Sequence, residues 1–263
     1  MSALKKYLKK RESTINGLLE TRQECYTPDT FHALRVEIKK LNALFNLINY
    51  CSKEFKKKKT FKPFKRIFRQ AGKVRELQIE ESLLEEYFAF HLLPQYKDHL
   101  EKLLTRELEI FFLITNNSLS QILSEKYQKI LPLLTKASTK KANRYMDKKR
   151  TEIEKLIAQN ALKNKQIHPL RKQLKEYQYN HTSLYYDPQN QLTSSKDILP
   201  ELLGEWHDYQ IIIKHLKKVI ASGSINPNES SQLEIIKASF IFENELLFHK
   251  INATLSSSPF RND

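Results

Sequence analysis

The segment Phe31-His32-Ala33-Leu34-Arg35-Val36-Glu37-Ile38-Lys39-Lys40 constrains the fold most, because it superimposes two helical spacings. Phe31, Leu34, Ile38, Leu41, Phe45 and Ile48 recur at alternating steps of three and four, the period of a helix with one buried face. His32, Arg35 and Lys39 stand at i, i+3 and i+7, which at about 100° per residue puts them within roughly 60° of one another. Val36, Ala43 and Leu47 flank the cations on their other side. A cationic stripe with apolar walls belongs in a groove or pore between helices. A blander account also fits one such helix: His32 caps or packs, and Arg35 and Lys39 pair with carboxylates.

The pattern returns at Ile167-His168-Pro169-Leu170-Arg171-Lys172-Gln173-Leu174-Lys175-Glu176. A second pair follows in the same order: Gly72-Lys73-Val74-Arg75-Glu76-Leu77-Gln78 parallels Gly204-Glu205-Trp206-His207-Asp208-Tyr209-Gln210. The offsets are 136 and 132 residues, so order and spacing are both kept. This is an internal repeat. It predicts an all-α domain over about residues 1–255, built of two four-helix bundle units in tandem, about 1–123 and 126–255. An approximate two-fold axis between them would let the two His-Arg-Lys stripes face one another across a basic central channel.

Only four glycines occur, and alternating β-branched runs are absent, so helical spacing runs almost unbroken. The first helix is expected from about Ala3 to Glu24, and Thr27-Pro28, an N-cap followed by proline, opens a second to about Asn49. Lys53 to Lys59 is expected as a mobile lysine-rich connection. A third helix, about Phe61 to Phe90, carries Lys62, Arg66, Arg69 and Lys73 on one face with Lys65 at its edge. Pro94 separates it from a fourth, about Tyr96 to Leu123. A fifth, about Lys126 to Ala161, has a basic face of Lys140, Lys141, Arg144 and Lys148, with Pro132 breaking its first turns. The next begins near His168, with Pro169 tolerated in its first turn, and ends near Leu184. Tyr185 to Thr193 is a loop, and helices follow from about Ser195 to Ala221 and Glu229 to Leu255. Residues 256–263 read as a disordered tail.

Charge is concentrated. Residues 53–75 hold eleven basic residues and one acidic, and 136–175 thirteen and three, each a net of +10 within a chain of +15. Positive blocks of this density predict a polyanionic partner. Two cysteines, Cys25 and Cys51, fall at the ends of the first two helices; in an antiparallel hairpin they lie far apart, so no disulfide is expected. The start has no signal-peptide pattern, and no run approaches the ~20 apolar residues of a bilayer span. A soluble, cytoplasmic protein is expected.

Together the two His-x-Leu-Arg motifs and the later Leu-Gly segment resemble the CHAD family, the conserved histidine α-helical domain. The resemblance covers roughly residues 1–255. It implies a pseudosymmetric helical bundle around a basic channel and binding of inorganic polyphosphate, with possible residence on polyphosphate granules. Carried over by position, it assigns ligand-binding roles to His32, Arg35, Lys39, His168, Arg171 and Lys175. The basic faces add Lys62, Lys65, Arg66, Arg69, Lys73, Lys141, Arg144 and Lys148. The chain departs from the family at Glu76, which replaces the usual Asp, and Glu176 stands where the first copy has Lys40. Glu201 and Glu205 make the second Gly segment acidic, so unequal contributions from the two halves are expected.

Other functions fit less well. Nucleic-acid binding is permitted by the charge, but no aromatic platform or recognition motif is evident. Divalent-metal binding is disfavoured because His32 and His168 have cations as stripe neighbours and no His-x3-His or Cys-x2-Cys spacing exists. Catalysis on phosphate chains lacks a phosphate-cradling Gly loop and clustered carboxylates for magnesium, so no enzyme activity and no cofactor are expected. Arg75-Glu76 and His207-Asp208 read as structural. His91, His99, His181, His215 and His249 read as surface or core histidines.

Overall fold

The computed structural model describes residues 3–86, 90–115, 118–158, 162–187 and 198–256. Every regular element among them is helical: α1 Ala3–Leu19, α2 Pro28–Cys51, α3 Lys57–Glu85, α4 Pro94–Ile114, α5 Ser118–Lys136, α6 Thr139–Ile157, α7 Asn164–Leu184, α8 Ile198–Ser222 and α9 Pro227–Ser256. Short 3-10 turns at Gln23–Cys25 and Phe90–Leu92 precede α2 and α4. No described helix is long and apolar enough to cross a membrane. The expected tail lies outside the described residues except for Ser256, which ends α9.

Several boundaries follow the chemistry read from the sequence. Thr27 caps α2: its hydroxyl accepts from the Thr30 N–H at 3.3 Å, Thr30 returns the bond, and Pro28 occupies the first turn. Asn226-Pro227 opens α9 in the same way, with Asn226 Oδ1 accepting from the Glu229 N–H at 2.9 Å. Glu229 in turn caps α4, accepting from the Gln95 and Tyr96 N–H groups at 3.1 and 2.8 Å. Cys25 is exposed and Cys51 buried, and both are free thiols.

Four expectations are corrected. The stretch between Tyr96 and Ala161 forms three helices, not two, and Leu123 to Lys126 lies inside α5. The unread signal is Ser138, whose hydroxyl accepts from the Lys141 N–H at 3.3 Å and starts α6. Pro132 sits within α5 instead of breaking it. Pro169 lies in the second turn of α7, because Gln166 Oε1 accepts from the Lys163 N–H at 2.7 Å and begins the helix earlier. The lysine run is not wholly a loop: α3 starts at Lys57, anchored by buried Phe55, whose ring meets Phe45 at 5.5 Å.

Two compact units divide the chain, each from three segments: 1–72, 109–155 and 172–195 in unit 1, and 73–108, 156–171 and 196–263 in unit 2. Their bounds differ from the halves 1–123 and 126–255 expected from the motif spacing, because long helices such as α3, α4 and α7 supply residues to both units. Unit 1 is cored by aromatic clusters, one of Phe45, Phe55, Phe61 and Phe64 and another of Tyr26, Phe31, Phe111 and Phe112. Unit 2 is mostly aliphatic, with Ile212, Leu216, Leu233, Ile236 and Phe240 of α8 and α9 closing on Leu84, Leu93 and Tyr96.

Candidate polyanion-binding site

Helix α2 presents its two faces as the spacing predicts. Phe31, Leu34, Ile38, Leu41, Phe45 and Ile48 are fully buried, His32 is exposed, and Arg35 and Lys39 are half-buried. The second copy repeats this: Ile167, Leu170 and Leu174 are buried, His168 is exposed, and Arg171 and Lys175 are half-buried. Buried Glu37 pairs with Arg11 at 3.0 Å and with Lys40 at 2.8 Å.

Arg35 is held against α3. Its Nη1 donates to the Phe68 carbonyl at 3.2 Å, and its Cζ stands 4.7 Å above the Phe68 ring. Gly72, one turn on, makes room: a Cβ there would lie 2.0 Å from Arg35 Nη1. The Arg of the first motif and the Gly of the second thus form one contact between two helices. At Gly204 nothing lies within 4 Å of the corresponding position, so the second copy lacks this notch.

Beside this contact, within unit 1, runs a groove of about 600 Å³. It is lined by Lys39 of α2, by Lys57, Lys58, Lys62 and Lys65 of α3 and by Lys172 of α7, over a floor of Ile38, Phe61 and Phe68. Among the described residues, no carboxylate lines it. Burial pushes the Lys57 ammonium below the ordinary lysine range, Glu176 pulls it back, and Lys172 and Lys65 lower it further. Lys57 donates to Asn46 Oδ1, and Lys39 Nζ lies 5.9 Å from the Phe68 ring centre.

The structure gathers only part of the expected set here. Lys39, Lys62 and Lys65 line the groove, while Arg66 and Arg69 are exposed elsewhere on α3. Lys73 belongs to unit 2 and pairs with Glu107 at 3.1 Å. Lys141 donates to the Cys51 carbonyl at 3.0 Å, closing the end of α2, and Arg144 and Lys148 are exposed on α6. His168 and Arg171 fall in unit 2, where the His168 ring meets that of His207 at 5.2 Å. Lys57, Lys58 and Lys172 were missed. With α3 started at Lys57, the spacing Lys58, Lys62, Lys65 at i, i+4 and i+7 is the signal that finds one of them, Lys58.

His215 and Trp206 show how the remaining polar residues are used. Trp206 is buried. His215 is more than a packed histidine: its Nδ1 lies 2.6 Å from Oε2 of Glu80, a carboxylate 2% exposed that also accepts from the Tyr96 hydroxyl. Among the described residues, no three His, Cys, Asp or Glu side chains converge as metal ligands.

The model of the CHAD domain family matches residues 3–217. Among solved structures, the fold is similar to the crystal structure of the CHAD domain from the plant Ricinus communis, with a TM-score of 0.76. That match has 15% sequence identity and covers 97% of this chain and 91% of the other. No curated protein matches the sequence.

Proposed function

Because the chain belongs to the CHAD family, we propose that it binds inorganic polyphosphate, without turning it over, in the lysine groove of unit 1. The family's association with polyphosphate supports the ligand class. The observation that carries the site is the groove itself: six lysines from three helices, with no carboxylate among its described lining residues. Such a wall gathers cations at a cost in mutual repulsion, which adds to burial in holding Lys57 below its ordinary range and which a bound polyanion relieves. Lysines act as point charges that donate to phosphate oxygens from many directions, which suits a flexible linear chain better than a rigid ligand. The apolar floor of Phe61 and Phe68 lowers the local dielectric and strengthens each contact. On this reading the protein is cytoplasmic and collects on polyphosphate granules.

The test is titration with long-chain polyphosphate at two salt concentrations, using wild type and Lys62→Ala/Lys65→Ala. Both lysines are exposed, so the variant folds normally. Displacing counterions at six lysines gives a slope of log affinity against log salt of about −4, and removing two flattens it to about −3. Binding unchanged in the variant would place the ligand elsewhere. Displacement by single-stranded RNA at equal phosphate concentration would instead favour a general nucleic-acid binder. Magnesium-dependent phosphate release by pure protein would overturn the non-catalytic assignment.

A further inference from the structure

Unit 2 contains a second groove, also of about 600 Å³, whose chemistry differs from the first. One wall is a single face of α8, where His207, Lys214, His215 and Lys218 line the cavity. The other carries Glu76 and Glu80 of α3 and Glu107 of α4. Glu107 holds Lys73 at 3.1 Å, and Glu80 holds His215 at 2.6 Å. Glu80 is nearly inaccessible and sits behind the imidazole, so it holds the ring rather than meeting a ligand directly. With Nδ1 engaged, Nε2 is the ring nitrogen left for a ligand.

We infer that this groove is a second oxyanion site, taking a diphosphate-sized group on Lys214, His215 and Lys218, with Glu80 as the positioning residue that orients His215. The three donors span one turn of α8, the reach needed to meet one or two adjacent tetrahedral oxyanions. Lys214 and Lys218 are exposed and His215 half-buried, so the ligand enters from the open side. The near balance of charge explains the size limit. With His215 protonated, Lys73, Lys214, Lys218 and His215 face Glu76, Glu80 and Glu107, an excess small enough to suit a short anion and to discourage a long one. This site is independent of the lysine groove in unit 1.

Its affinity depends on pH through His215. Glu80 and Glu76 face that ring from α3, His99 from α4 and Lys218 from α8. Burial opposes the imidazolium, but the hydrogen bond and charge of Glu80 outweigh it, so His215 titrates above the ordinary histidine range. Binding therefore weakens as pH rises through that value.

The test is calorimetric titration of the full chain with diphosphate at about pH 6 and about pH 8, with the His215 ring resonances followed by NMR. Wild type should bind saturably and about tenfold more tightly at the lower pH. His215→Gln should lose that preference, Lys218→Ala should weaken binding at both pH values, and Glu80→Gln should move the midpoint to lower pH. Lys62→Ala/Lys65→Ala should leave all of this unchanged. Absence of saturable binding, or identical binding in His215→Gln and Lys218→Ala, overturns the site. Loss of diphosphate binding in Lys62→Ala/Lys65→Ala would assign it to the first groove instead.

Discussion

Replacing Gly72 by alanine tests whether the contact joining the two motifs is energetic or incidental. The added Cβ would meet Arg35 Nη1 at 2.0 Å and Cζ at 3.2 Å. Comfortable non-bonded separation is about 3.5 Å, so the guanidinium must retreat by about 1.5 Å. That breaks its 3.2 Å bond to the Phe68 carbonyl and lifts it off the Phe68 ring. A hydrogen bond from a charged donor is worth about 1.5–3 kcal/mol, and the cation–π contact about 0.5–1 kcal/mol. Alanine returns about 0.5–1 kcal/mol by stiffening the unfolded helix segment. The net is a destabilisation of about 1–3 kcal/mol. Gly204→Ala is the control: it also lies inside a helix, with nothing within 4 Å, so only the favourable term of up to about 1 kcal/mol remains. Urea unfolding followed by circular dichroism measures both. The two substitutions should move stability in opposite directions, and in an Arg35→Ala background Gly72→Ala should become stabilising. If Gly72→Ala stabilises the wild type as much as Gly204→Ala does, Arg35 moves aside freely and the clamp has no energetic content.

Three further outcomes follow from the same geometry. Glu37→Ala strands the buried Arg11 guanidinium and should cost about 3–5 kcal/mol, whereas replacing both with apolar residues should be close to neutral in the same urea assay. Asn226→Ala removes the cap of α9 and the side-chain amide's bonds to Gln95 and Glu229, so it should cost at least about 1 kcal/mol, read as a lowered melting temperature. His215 is raised in the folded state, so its stabilising contribution is complete below about pH 6.5 and is lost as pH rises through the folded value. Wild type should therefore lose stability relative to His215→Gln between neutral and mildly alkaline pH, and parallel pH profiles would refute the Glu80 pairing.

The parts of this fold that could be read from sequence are those fixed by local chemistry. Apolar spacing located the buried face of α2, and Thr27-Pro28 located its start, because capping and periodicity act within one turn. The break at Ser138 was missed because apolar spacing continues across it, and a lone serine is a weak signal until its hydroxyl is seen accepting a backbone bond. The start of α3 was missed for the opposite reason. A lysine run reads as solvated chain, and only tertiary burial of Phe55 against Phe45 makes it helical from Lys57. His215 was set aside because its partner, Glu80, lies 135 residues away and no spacing rule connects them.

The candidate site was half legible for a reason that the repeat itself exposes. Matched positions in the two copies keep their burial: Leu34 and Leu170 are buried, Arg35 and Arg171 half-buried, and Ala71 and Leu203 buried ahead of the two glycines. Their contacts have diverged. Arg35 fills the notch at Gly72, while Gly204 has nothing near it. Lys40 pairs with Glu37, whereas Glu176 at the matching position accepts from the Tyr145 hydroxyl and lies 3.8 Å from Lys149. Packing against neighbours constrains the buried face tightly, so it survives in both copies, but exposed positions answer only to what binds there. A motif shared by two halves therefore marks first what the fold needs. In the first copy Arg35 serves helix packing, and the groove takes Lys39 from the stripe, four lysines from α3 and Lys172 from within the second motif segment. Reading a repeated stripe accordingly leads to the neighbourhood of the lysine groove, which Lys39 of the stripe shares with cations outside it.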